Sequence, residues 1–118
     1  VYFGGYETEQ GMRGCEYLMN LPSPPTAIFS ISDIIAIGAM NYALSKGYRI
    51  GKDLIFMGFD NIQYSHMFVP HLSTVEQPCY AQGKLVIEKL IENMKATNPD
   101  HNLYTLPHSL VLRESTGD

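Results

Sequence analysis

Three places in the chain carry side chains suited to binding chemistry: Tyr6, the pair Ser32-Asp33, and the pair Asp60-Asn61. An aromatic ring, a hydroxyl, and carboxylate or amide acceptors make the set that recognises a sugar or similar polyol. The ring offers a flat apolar face, and the acceptors take the hydroxyls. Each has an ordinary structural use as well. Ser32 or Asp33 would cap a helix. Asp60-Asn61 would make a turn, and Tyr6 would pack on the helix that it precedes. Reactive chemistry is poorly represented. His66, His71, His101 and His108 show no HExxH or HxH spacing, so no metal or cofactor is expected. The sequence has no GxSxG, P-loop or GxGxxG, so no catalytic residue is expected. The histidines are expected at exposed loop or interface positions.

The elements that must position these groups alternate between strand and helix patterns. Val1-Tyr2-Phe3 is β-prone and stops at Gly4-Gly5. Thr8 is placed to cap a helix running to about Leu21, ended by Pro22-Ser23-Pro24-Pro25. The nearly continuous apolar run Thr26 to Ile31 predicts a strand buried on both faces. A helix from Ile34 to about Lys46 follows, closed by Gly47. Leu54 to Met57 predicts a buried strand, stopped at Gly58, that delivers Asp60 to its own end. Leu72 to Val75 predicts another strand. A third helix is expected from about Tyr80 to Lys95, with Gly83, Val86, Ile87, Leu90, Ile91 and Met94 on one face. After a polar connection around Asn98-Pro99-Asp100, the tail predicts a strand pair, or one strand interrupted at Pro107. Strands alternating with helices imply an α/β fold with a mainly parallel sheet, whose strand ends meet at one edge where ligands bind. Tyr6, Ser32-Asp33 and Asp60-Asn61 all fall at such ends.

The totals fit one packed domain: 118 residues, 45% hydrophobic and 17% charged. A net charge of −4 argues against gripping a phosphate backbone directly. No run approaches a membrane span and no signal peptide is visible, so no membrane partner is expected. The chain opens on a strand-like stretch without an initiator Met, as expected of a piece of something longer. Cys15 and Cys79 lack metal-type spacing. Cys15 is expected as a buried, reduced thiol, which suits a reducing compartment.

An ordered set of segments resembles the LacI/GalR family of bacterial transcription regulators. It comprises Pro25-Thr26-Ala27-Ile28-Phe29, Ser32-Asp33 with Ala36-Ile37-Gly38-Ala39, Gly58-Phe59-Asp60-Asn61, Pro70 to Pro78, Leu106-Pro107, and Arg113-Glu114-Ser115-Thr116. The resemblance covers nearly the whole chain, and the PxLxTVxQP stretch with the closing RxST is its most specific part. It implies a type I periplasmic-binding-protein-like effector domain, two α/β lobes around a cleft, of which this chain is the later part. Residues 1–76 would form the core of the second lobe. Residues 77–102 would be the crossover and a first-lobe helix, and residues 103–118 the returning strands. The helix-turn-helix and most of the first lobe would be absent. The helix from Tyr80 to Lys95 would then pack differently, or against another copy.

Carried over by position, Tyr6 matches an effector-stacking aromatic, Asp60 a carboxylate that bonds the effector, and Ser32 a position commonly Asn. Cys79 falls where some members place a cleft aromatic. Ile34, Ile37 and Asn41, with Met67 and Phe68, match a dimer contact. The implied function is a cytoplasmic effector-sensing and dimerisation module for a sugar or sugar phosphate, reaching operator DNA only through the absent domain. A solute-binding protein of a sugar transporter is the alternative. An α/β enzyme whose catalytic residues lie elsewhere has no support. Gln77-Pro78-Cys79-Tyr80 and Leu106-Pro107-His108 are similar to the catabolite-control subgroup. Glu88 and Glu92 on the third helix would repel a phosphoserine, so a phosphoprotein corepressor is not expected.

Overall fold

Two glycines let two helices meet backbone to backbone. In the computed structural model, which describes residues 1–97 and 102–117, α1 spans Thr8–Met19 and α2 spans Asp33–Ser45. A Cβ at Gly11 would run into the Ile35 carbonyl of α2, and one at Gly38 into the Thr8 carbonyl of α1. The absent side chains let the two backbones meet. α2 then turns Ala36, Ala39, Met40 and Ala43 into a core closed by Cys15, Leu54, Phe56 and Leu72. Small residues on α2 make room for the large ones on the sheet.

Among the described residues the sheet has four strands, in the order β1 (Ala27–Phe29), β2 (Ile55–Asp60), β3 (Ser73–Glu76), β4 (Ser109–Val111). β1 pairs with β2, and β2 with β3, in parallel. The fold is therefore the expected α/β arrangement. Several boundaries differ from expectation. β2 does not stop at Gly58 but continues to Asp60, with Gly58 paired to Thr74 and Asp60 to Glu76. β1 is an outer strand rather than one buried on both faces, and Phe29 and Ile31 are about 60% exposed. Val1 to Phe3 forms no strand. Tyr2 turns instead to the Tyr17 ring on α1, centroids 5.4 Å apart, which draws the segment toward the helix. Among the described residues of the tail, only Ser109–Val111 is strand. Thr8 opens α1 rather than capping it; Glu7 is the cap residue. Gly47 closes α2 with a left-handed φ of +82°, as expected of a C′ glycine.

Two compact units result, one of Val1–Glu76 with Leu110–Asp118 and the other of Gln77–Ser109. The second holds α3 (Cys79–Lys95), none of whose residues is buried. Its predicted apolar stripe is in the open: Val86, Ile87, Leu90, Ile91 and Met94 are all exposed. Lys89 lies over the Tyr104 ring and pairs with Glu92 at 2.7 Å. The connection at Asn98 to Asp100, and His101, lie outside the described residues.

Candidate functional site

The C-terminal edge of β1, β2 and β3 is organised around Asp33. Ser32 caps α2, its hydroxyl accepting from the Ile35 amide at 3.4 Å. Asp33, the next residue, is fully buried and does not act as a cap. Its Oδ1 accepts from the Thr74 hydroxyl at 2.6 Å. Its Oδ2 accepts from the Ser65 hydroxyl at 2.5 Å and from the Ile62 amide at 2.9 Å. Three donors from β3, from the 3₁₀ turn Gln63–His66 and from the loop before it converge on one carboxylate. This supplies what a buried anionic acceptor needs. Gly58 leaves room for it: a Cβ there would collide with the Asp33 carboxylate.

What Asp33 holds is an unusual turn. Asp60 and Asn61, at the end of β2, have φ of +112° and +54°. Asparagine tolerates the second value; the first is strained for any residue with a Cβ. The turn persists because its neighbours are tied. The Asn61 amide donates to Thr74 Oγ1 at 3.3 Å, and the Ile62 amide to Asp33. The Asn61 side chain is held at both ends. Its Oδ1 accepts from Arg113 Nη2 at 2.8 Å, and its Nδ2 donates to Glu76 Oε1 at 3.2 Å.

Arg113 is itself fixed. Nη1 donates to the Leu72 carbonyl at 2.5 Å, and its backbone amide donates to the Ser73 hydroxyl at 2.7 Å. Ser115 completes the seam by accepting from the Ser73 amide and donating to the Phe56 carbonyl, all within the buried layer. His71 and Glu114 close its outer end at 2.7 Å, and the His71 contact holds the Glu114 carboxyl below its usual range.

Of the three predicted ligand residues, Ser32 and Asp60 lie half-buried at the same sheet edge. Tyr6 is 75% exposed just ahead of α1. It lines an open cavity of about 580 Å³ with Phe29, Ser30 and Ile31, which neither Ser32 nor Asp60 lines. Ile34, Ile37 and Asn41 are half-buried along α2, Met67 is exposed, and Phe68, like Ile37, packs partly on the core. Cys15 is buried, and burial pushes its thiol up to about 11. Cys79 is exposed. Among the described residues no cluster of His, Cys, Asp or Glu could hold a metal, and no helix is long and apolar enough to cross a membrane. The roles of Asp33, Ser65, Thr74 and Asn61 in this network escaped sequence reasoning. Their partners lie up to 52 residues away, beyond the reach of any local motif.

The family described as "Periplasmic binding protein-like domain" matches residues 3–116. The chain belongs to this family. Within it the chain is of the LacI type. It is 39% identical over 110 residues to the ribose operon repressor of Haemophilus influenzae, covering 93% of this chain and 33% of that protein. The chain thus spans about a third of the length of the curated relatives it matches. A LacI-family regulatory protein from Chloroflexus aggregans superposes with a TM-score of 0.85 at 35% identity, over 95% of this chain and 41% of that one. A LacI-family regulator from Arthrobacter, in complex with lactose, superposes with a TM-score of 0.80 at 26% identity, over 93% and 41%.

Proposed function

We propose that this chain is part of the effector-sensing domain of a LacI-type transcriptional regulator, and that the Asp60 turn takes part in binding a small sugar or sugar phosphate. The observation that carries the reading is the strained Asp60-Asn61 turn at the C-terminal end of β2. Strain of this kind is kept where a group must be aimed, and in parallel sheets that place is the ligand edge. A lactose complex of a similar regulator supports a carbohydrate as the ligand class. The reading assigns Asp60 and Ser32 to hydroxyl recognition and Tyr6 to stacking. It needs no cofactor and no bond-making step.

On this reading residues 1–76 with the returning tail, 103–118, are the second lobe, and residues 77–102 carry the crossover and a first-lobe helix. Closure of the two lobes on a sugar would shift a two-state equilibrium and so change the spacing of paired DNA-binding heads. Ile34, Ile37, Asn41, Met67 and Phe68 would form the contact between two copies in the cytoplasm. The names of relatives such as the ribose operon repressor and the transcriptional repressor CytR do not favour a transporter component.

Calorimetry on the protein that carries this segment, with D-ribose, lactose, cellobiose and their phosphates, tests the reading. At least one should bind. Asp60→Ala should weaken that binding about 10- to 100-fold, the worth of a hydrogen bond to a charged group. Undiminished binding by that variant would sink the role of Asp60, and a panel without any binder would sink the sugar reading.

A further inference from the structure

The Asn61 amide spans two residues that stand at the points where the chain leaves and re-enters its larger unit. Glu76, which accepts from Asn61 Nδ2, is the last residue before the chain passes to Gln77–Ser109. Arg113, which donates to Asn61 Oδ1, lies three residues beyond the re-entry at Leu110. These three side chains belong to the same unit. Arg113 cannot follow a movement freely, because Nη1 is bonded to the Leu72 carbonyl and its backbone to Ser73. Asn61 is therefore anchored on one side and linked on the other to the outgoing strand. Its own backbone is the second half of the strained turn.

We infer that Asn61 is a positioning residue that couples occupancy of the Asp60 turn to the two crossing segments. The inference rests on the regulator reading given above. A ligand hydroxyl drawn to Asp60 biases the torsions of the Asp60-Asn61 peptide. A change in those torsions swings the Asn61 Cα–Cβ bond, and the side-chain carboxamide, bonded at both ends, cannot follow without breaking one bond. The anchored Arg113 bond holds and the longer 3.2 Å bond to Glu76 gives way. The outgoing strand thereby gains one conformation in the bound state and another in the free state. That is the differential contact a population shift requires.

The test uses the protein that carries this segment together with its DNA-binding part, with D-ribose, lactose and cellobiose as separate probes. The ratio of operator affinities with and without sugar is measured beside the sugar Kd. In the unaltered protein the ratio should be about tenfold, within the usual range of allosteric coupling. Asn61→Gly keeps the left-handed backbone and removes both side-chain links. With sugar at a concentration that saturates each protein, it should bring the ratio below about twofold. Arg113→Lys keeps the charge but loses the planar fork, and should give an intermediate ratio. It also decides the matter if Asn61→Gly does not fold. Hydrogen exchange at the Ile62 amide should be unchanged in Arg113→Lys, since that amide is held by Asp33. A ratio unchanged in either folded variant overturns the inference alone. An unaltered protein that binds sugar without any change in operator affinity, or binds none of the three, overturns the regulator reading and this inference with it.

Discussion

Gly58 lies against the Asp33 carboxylate so closely that a methyl group at position 58 would take the place of Oδ1. The glycine is thus a spacing device within β2, and the buried carboxylate is the reason for it. Gly58→Ala should push Asp33 off its donors, leaving the Thr74 and Ser65 hydroxyls unpaired in the core. Overpacking together with lost buried hydrogen bonds predicts a loss of about 3 kcal/mol. Urea unfolding followed by circular dichroism measures it. A loss below about 1 kcal/mol would mean that the carboxylate is not held as tightly as its three short contacts indicate.

The turn at Asp60 makes a different kind of prediction. At φ of +112° any side chain is strained, and glycine is not. Asp60→Gly and Asp60→Ala remove the same carboxylate, but only the first relieves the backbone. The glycine variant should be the more stable of the two by about 1 kcal/mol, net of the greater freedom that glycine gives the unfolded chain. Both should lose sugar binding alike. Equal unfolding midpoints would show that the backbone at Asp60 is relaxed.

How far the chain could be read without coordinates follows from the range of the interactions. Ser32, α2 and Gly47 are legible because a cap, a helical stripe and a C′ glycine act within a few residues. The ordering of strands and helices, and the meeting of Ser32 and Asp60 at one edge, follow from the alternation alone. Gly58 reads locally as the end of a strand, because the carboxylate that requires a glycine there belongs to Asp33. Asp33 reads as a cap for the same reason, since its donors lie 29, 32 and 41 residues away. Val1 to Phe3 has the composition of a strand, yet strand formation depends on pairing, and Tyr2 finds Tyr17 instead. The apolar stripe of α3 has the right helical spacing, but spacing does not say what covers it.

The acid side of the stability profile is set partly at the chain's end. The His71 side-chain hydrogen bond holds the Glu114 carboxyl below its ordinary value of 4.5, helped by its own backbone amide and that of His71. A depressed carboxyl contributes fully above its unfolded value and loses that contribution as pH falls through the folded one. Glu114→Gln should therefore be less stable than the unaltered chain at neutral pH. The difference should hold down to about pH 5 and shrink in more acid solution. Both groups are substantially exposed, so high salt should reduce the difference as well. Unfolding series at several pH values would check this, and a difference that grows with acid would contradict the assignment.

The alkaline side depends on Cys15. Burial raises this thiol from 9.0 to about 11, so the folded chain favours the protonated form. Stability owed to it is complete below pH 9 and is lost as pH rises toward about 11. Tyr42 is pushed up as well, by burial first and then by Glu16. The useful quantity is thus the difference between the unaltered chain and Cys15→Ala, in which most of the tyrosine contribution cancels. That difference should move against the unaltered chain by on the order of 2 kcal/mol across the window. Thiol reactivity gives an independent check. At neutral pH a disulfide reagent should modify the exposed Cys79 at once and reach Cys15 only as the chain unfolds. Two thiols reacting together in the native state would mean that the helix pair brought together at Gly11 and Gly38 is not closed over Cys15.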